Sequence, residues 1–221
     1  MASSFKTISP KDVVSTRNLL HEAVPITGTI VNYATGAYAG SNIQNYAHGM
    51  FQSVYDYPYL SSSANHIFDL TIGYASDGSL ASTANTQNTK KKNMYKEMAQ
   101  VLAGFDQNGA VREFDRDGDL TGGAKFKDGI FVNFARLLTK DEIKKGSFSL
   151  EMGVGTYEAP WTERITITDP SGSSGFKVNS PAGEYGLLYA TDSEGTPLVA
   201  GQGSQPCGLI YYQAGICVLT G

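Results

Sequence analysis

The segment from Gly208 to Thr220 constrains this chain more than any other. Leu209, Ile210, Tyr211 and Tyr212 face Ile216, Cys217, Val218 and Leu219 across a short connection, which reads as a β-hairpin. Successive side chains of a strand point to opposite faces, so this ribbon is apolar on both sides. It must therefore be covered twice. The chain's own core is expected to cover one face. A neighbouring protein covers the other, which makes Tyr211, Tyr212, Ile216 and Val218 interface candidates, unless the ribbon is the central hairpin of a sandwich. A two-residue turn at Gln213-Ala214 or Ala214-Gly215 puts Cys207 and Cys217 on opposite faces and disfavours a disulfide. A three-residue turn would return them to one face. Two free, buried thiols are expected, in agreement with a reducing compartment.

Elsewhere strand patterns outnumber helical ones. Phe68 to Tyr74, Ala110 to Phe114, Leu120 to Phe126, Ser147 to Met152, Arg164 to Thr168 and Tyr185 to Tyr189 read as strands. Ile130 to Leu138 fits either period, and its β-branched and aromatic residues favour strand. The clearest helix is 91–105, with Met94, Met98, Val101, Leu102 and Phe105 on one face and Lys96, Glu97 and Gln100 on the other. Gly104 and Asp106-Gln-Asn-Gly109 stop it. Thr139-Lys-Asp-Glu142 is a capping box for a short helix through Lys145, ending at Gly146. Ser9 and Pro10 start a helix that carries Val13, Leu19, Leu20 and Val24 before Pro25 ends it, and Ile26 to Tyr33 turns β-like. The stretch from Ala75 to Thr89 is a polar loop of a length usually functional or disordered.

Because the strands do not alternate with helices as βαβ units require, the expected class is α+β and strand-rich. The architecture is an antiparallel sheet or sandwich with one main amphipathic helix and short accessory helices. Residues 1–25 form an N-terminal arm or helix, and 26–221 a single strand-rich structural domain.

The search for chemistry finds one metal-like pattern, Asp115-x-Asp117-x-Asp119, which places carboxylates as the first, third and fifth positions of an EF-hand loop do. The sixth position is Leu120 where a sharp turn wants Gly, and the twelfth is Phe126 where a bidentate Glu should close the shell. A turn rich in Asp and Gly is the simpler account, with calcium as the alternative. His21, His48 and His66 have no zinc spacing. His66 and Asp69 near Ser61 to Ser63 suggest a hydrolase fragment, but no Gly-x-Ser-x-Gly elbow accompanies them. No phosphate-cradling glycine motif is present. The chain is therefore read as non-enzymatic, without cofactor or small-molecule ligand.

A net charge of -4 offers no footprint for a phosphate backbone, and Lys90-Lys91-Lys92, the one basic run, reads as the solvated first turn of a helix. Neither a nucleic acid nor a membrane is an expected partner, since no stretch reaches the ~20 apolar residues of a spanning helix and the start lacks a signal-peptide core. Charged residues are only 17% while tyrosines number 13. Interfaces are poor in Lys and Glu and rich in Tyr, so this balance suits a subunit of an assembly as well as a β-rich domain. Tyr55, Tyr57 and Tyr59 alternate onto one side of an extended strand, as an interface or as a strand entering the core. With Trp161 they are also the stacking platforms that a carbohydrate-binding or host-surface module would need.

Four strings are distinctive: His48-Gly-Met-Phe-Gln-Ser-Val-Tyr-Asp-Tyr-Pro-Tyr-Leu-Ser-Ser-Ser-Ala-Asn-His66, Leu138-Thr-Lys-Asp-Glu-Ile-Lys-Lys-Gly-Ser-Phe148, Asn179-Ser-Pro-Ala-Gly-Glu-Tyr-Gly186 and Leu209-Ile-Tyr-Tyr-Gln-Ala-Gly-Ile216. With them the chain, from about Val14 to its C-terminus, resembles virion structural proteins of T4-like contractile-tailed phages of marine cyanobacteria. The resemblance implies a virion protein of the tail, more narrowly the baseplate or parts joined to it. Its implied partners are other virion proteins and copies of itself. It transfers no catalytic or ligand residues.

Overall fold

The computed structural model describes residues 43–46, 50–55, 66–82, 88–134, 142–154, 163–171, 174–198 and 205–220. The expected helix after Ser9, the division at residue 25, and Tyr57, Tyr59 and Trp161 lie outside them. Along the chain run β1 (Ile43–Asn45), β2 (Gln52–Tyr55), β3 (His66–Tyr74), a 3₁₀ turn (Ser79–Ser82) and α1 (Asn88–Leu102), the one α-helix among the described residues. There follow β4 (Phe114–Asp115), β5 (Lys125–Phe126), β6 (Asp128–Asn133), β7 (Ser149–Val154) and β8 (Glu163–Thr168). The last are β9 (Lys177–Ser180), β10 (Gly183–Thr191), β11 (Gly208–Tyr211) and β12 (Ile216–Leu219). The fold is α+β and strand-rich, as the patterning predicts.

Ten strands make one antiparallel sheet in the order β1-β2-β3-β6-β12-β11-β10-β8-β7, with β9 beside β10, and β4 and β5 form a separate small hairpin. The terminal hairpin sits at the centre of this sheet, β12 pairing with β6 and β11 with β10. Its register, Tyr211 opposite Ile216 and Ile210 opposite Cys217, is the one a turn centred on Gln213-Ala214 produces. Both thiols are free, Cys217 buried and Cys207 half-buried. Cys207 precedes the ladder, where strict alternation no longer holds, and packs against the same cluster as Cys217.

Both faces of the hairpin are covered by the chain itself. On one side Leu209, Tyr211 and Val218 pack with Phe131, Tyr185, Phe114, Phe126 and the inner face of α1. On the other, Ile210, Tyr212, Cys217 and Leu219 pack with Val132, Ile167 and Leu188, and Phe134, Ile143, Phe148 and Phe176 close over them. The expectation that a partner covers one face is thereby corrected, and Tyr211, Tyr212 and Val218 are core residues with Ile216 half-buried at their margin. Each large side chain so enclosed contributes about 1.5–3 kcal/mol over leaving it exposed, so the chain has a strong reason to keep both faces for itself.

The helix keeps Leu102 and Met98 of its expected inner face against the core but is otherwise rotated. It begins at Asn88 rather than Lys91, and it buries Tyr95, Ala99 and Leu102, leaving Val101 63% and Phe105 49% exposed. The cause lies in β3. A Cβ at Gly73 would sit 2.7 Å from the Tyr95 backbone nitrogen and 3.0 Å from the Lys91 carbonyl oxygen, so the helix rests backbone against strand there. Small Ala99 suits that approach. Tyr95 turns its ring edge-on to Phe114 at 5.4 Å and donates its hydroxyl to the Phe126 carbonyl at 2.5 Å. Gly104, at φ +79°, stops the helix as expected.

The short helix expected to run through Lys145 is absent from its described part, residues 142–146. Ile143 is drawn inward instead, its N–H donating to the Tyr212 carbonyl at 3.0 Å. Glu142 is buried and pairs with Lys145 at 3.1 Å.

Candidate functional site

The metal-like pattern folds into the turn between β4 and β5. Phe114 and Phe126, opposite one another in the ladder, are buried in the core and fix the ends of this turn. Phe126 therefore closes a hydrophobic cluster and supplies no ligand. Within the turn the structure does bring one carboxylate oxygen from each of Asp115, Asp117 and Asp119 within 4.8 Å of the others. Leu120 takes φ +66°, the left-handed conformation that its position was expected to reserve for glycine. The buried Asp115 explains how: it accepts the Leu120 N–H at 2.6 Å and the Lys125 ammonium at 2.8 Å. Asp119 is exposed, and the hydrogen bonds it accepts from Thr121, the backbone N–H first, hold its carboxyl below the usual range. Lys125 thus supplies the turn with a cation of its own, and among the described residues its one ion pair is with Asp115.

His66 and Asp69 converge with a serine, Ser53 of β2, while Ser61 to Ser63 lie outside the described residues. Asp69 Oδ1 accepts the Ser53 hydroxyl at 2.5 Å and meets His66 Nε2 at 2.7 Å. A nucleophilic relay needs the serine on the histidine, with the acid behind it. Here both lean on one carboxylate oxygen, and the His66 side chain is only 2% exposed. The arrangement clamps β2 to β3 in a buried setting. Tyr55 sits over it, edge-on to His66 at 5.4 Å, and is itself buried with its hydroxyl donating to Gln44 Oε1. It is neither a free interface residue nor a stacking platform.

A third polar cluster escapes sequence reading because its members lie far apart in the chain. Asp169, 3% exposed, accepts the Tyr212 hydroxyl at 2.7 Å, the Gly146 N–H at 2.8 Å and the Ser171 N–H at 2.9 Å. Gly186 makes room for it, since a Cβ there would lie 2.8 Å from Asp169 Oδ1 and overlap the Tyr212 hydroxyl. Beside it Lys145 pairs with Glu184 at 2.6 Å and with Glu142, its ammonium over the rings of Phe176 and Tyr212. Burial alone would lower the Lys145 pKa, but the bonds from Glu184 and Glu142 prevail and raise it. Every polar group named here has a partner, so the cluster welds residues 142–146 to β10 and the central hairpin.

A recess of a different kind lies among the described residues. A half-open cleft of about 220 Å³ lies among Tyr46, Phe51, Gln52, Ile72 and Lys91. Tyr46 and Phe51 form an aromatic wall, their ring centres 4.6 Å apart. Comparison with protein-family models, curated proteins and solved structures finds no match to this chain.

Proposed function

We propose that this chain is a structural subunit of a bacteriophage virion, in the contractile tail at the baseplate or parts attached to it, working by protein–protein assembly rather than catalysis. The observation that carries the reading is where the phage-like strings fall in the fold. Asn179 to Gly186 forms the β9–β10 hairpin, which ties the acidic turn to the end of α1 through Asn179 and Ser180. Leu209 to Ile216 is the central hairpin. Leu138 to Phe148 carries Lys145 and Ile143, and the string ending at His66 carries Ser53. The described parts of these strings sit at joints between elements, and firm joints suit an assembly subunit. Three clusters of chemistry-bearing residues serve as internal clamps, and weak surface charge suits permanent contact with other virion proteins and copies of the chain.

The reading is tested on purified particles of a phage whose genome encodes this chain. Its tryptic peptides are expected in particles banded to constant composition, and their absence from such particles would refute it.

A further inference from the structure

We propose that the cleft beside the first turn of α1 receives the Asp117-to-Leu120 tip of a second copy of this chain, joining copies head to tail. Lys91 is the one charged residue among the cleft's walls, which are otherwise apolar or aromatic apart from Gln52 and Thr71. Burial holds its pKa below that of an ordinary lysine, and among the described residues no acid pairs with it. Lys90 and Lys92 flank it, and the first turn of α1 contains no acid. Three ammonium groups thus crowd the positive end of the helix dipole, where an isolated chain gains from negative charge instead.

The complementary charge stands at the other end of the same helix. Asn179 Nδ2 donates to the Gly118 carbonyl at 2.9 Å while Ser180 Oγ donates to the Leu102 carbonyl at 2.5 Å, so the acidic turn is anchored at the helix C-terminus. The 15 residues of α1 hold the two ends about 21 Å apart. At the tip Asp117 and Asp119 are exposed and Leu120 is half-buried, a pair of carboxylates next to an aliphatic side chain. A lysine in an apolar cleft matches that chemistry. The charges reinforce the helix dipole rather than oppose it, and the rigid helix prevents one chain from bringing them together. Two copies can. A contact between different surfaces of identical chains closes into a ring or continues as a filament. The inference takes its biological setting from the assembly reading above, while its measurement needs only the purified chain.

Sedimentation velocity on the full chain at up to about 0.5 mM, where even a millimolar Kd leaves measurable dimer, provides the test. Salt is varied from about 0.01 M to about 1 M, over which the screening length falls from ~30 to ~3 Å. Association is expected at low salt and lost at high salt. Lys91→Glu alone and Asp117→Lys alone should each weaken it by about tenfold or more, and an equal mixture of the two should restore it, because each altered end then faces its complement. Zero-length carbodiimide coupling of the unaltered chain should link Lys91 to Asp117 or Asp119 of another copy, which needs no variant to fold. A wild-type chain monomeric throughout, association indifferent to both substitutions, or a mixture that stays apart overturns the contact. None of those results bears on whether the chain is found in purified particles.

Discussion

Replacing Gly73 by alanine should loosen α1 from the sheet. The new Cβ would lie 2.7 Å from the Tyr95 nitrogen and 3.0 Å from both the Lys91 carbonyl oxygen and Tyr95 Cα, whereas ordinary contact begins at 3.4 Å. All three neighbours are helix backbone, so no side chain can swing aside and the helix must retreat by 0.4 to 0.7 Å, the differences between 3.4 Å and those distances. In doing so it pulls Ala99 and Leu102, both 0% exposed, from their seats. Overpacking of this kind costs about 1–3 kcal/mol. Against it stands a gain of about 0.4–1 kcal/mol, because alanine restricts the unfolded chain more than glycine does. The clash wins, for a net loss near ~1–2 kcal/mol and a fall in Tm of about 2–8 °C for a chain of this size. Denaturant and thermal melts followed by circular dichroism measure it. Gly73→Val sharpens the test, because valine favours an open strand position but here must destabilise further. Melting temperatures unchanged or raised in the series Gly, Ala, Val would refute the close approach of helix and strand.

Tyr212→Phe removes a hydroxyl donated to a buried carboxylate and should cost about 1.5–3 kcal/mol, while Asp169→Ala, which strands three donors, should cost ~3 kcal/mol or more in denaturant titration. Alkali should unfold the protein cooperatively. Burial pushes Tyr185 up to about 12 and raises Tyr95, Tyr211 and Tyr212 well beyond the ordinary tyrosine value. Unfolded tyrosines ionise near pH ~10 and these folded ones do not, so unfolding releases protons there and stability falls as pH rises, by about 1.4 kcal/mol per pH unit for each tyrosine kept neutral. The raised pKa of Lys145 acts in the same direction, its stabilising pairing being complete below the ordinary lysine value and lost as pH climbs through the folded one. The tyrosinate absorbance of these four should therefore appear only together with loss of secondary structure above pH ~10, and ionisation of all the tyrosines without unfolding would contradict the burial.

What the sequence makes legible follows how each piece is stabilised. β3, β6, β7, β8, β10 and the terminal hairpin announce themselves because their side chains alternate or are apolar throughout, and the hairpin register follows from its turn. β9 is missed because Lys177-Val-Asn-Ser180 carries no buried apolar pattern, Val178 being 70% exposed. The helix is found with Leu102 and Met98 inward and Lys96, Glu97 and Gln100 outward as read, but Tyr95 and Ala99 complete its inner face in place of Val101 and Phe105, because Gly73 lets that side of the helix approach the strand. The second cover of the hairpin comes from Phe134, Ile143, Phe148 and Phe176, residues distant in the chain that no local pattern connects to it. That is why a partner was expected where the chain suffices. The same limit applies to polar clusters: Asp115, Asp117 and Asp119 are readable as a local motif, but the Lys125 ammonium on Asp115, the Ser53 hydroxyl on Asp69 and the Tyr212 hydroxyl on Asp169 exist only once the strands have paired.

The claim that this chain is built for assembly in a contractile tail is tested most directly by quantifying it in particles separated into heads and tails. The account predicts its peptides in the tail fraction, at a fixed ratio to the other tail proteins across independent preparations. A chain confined to infected cells, or trailing through the fractions in no fixed ratio, would contradict it.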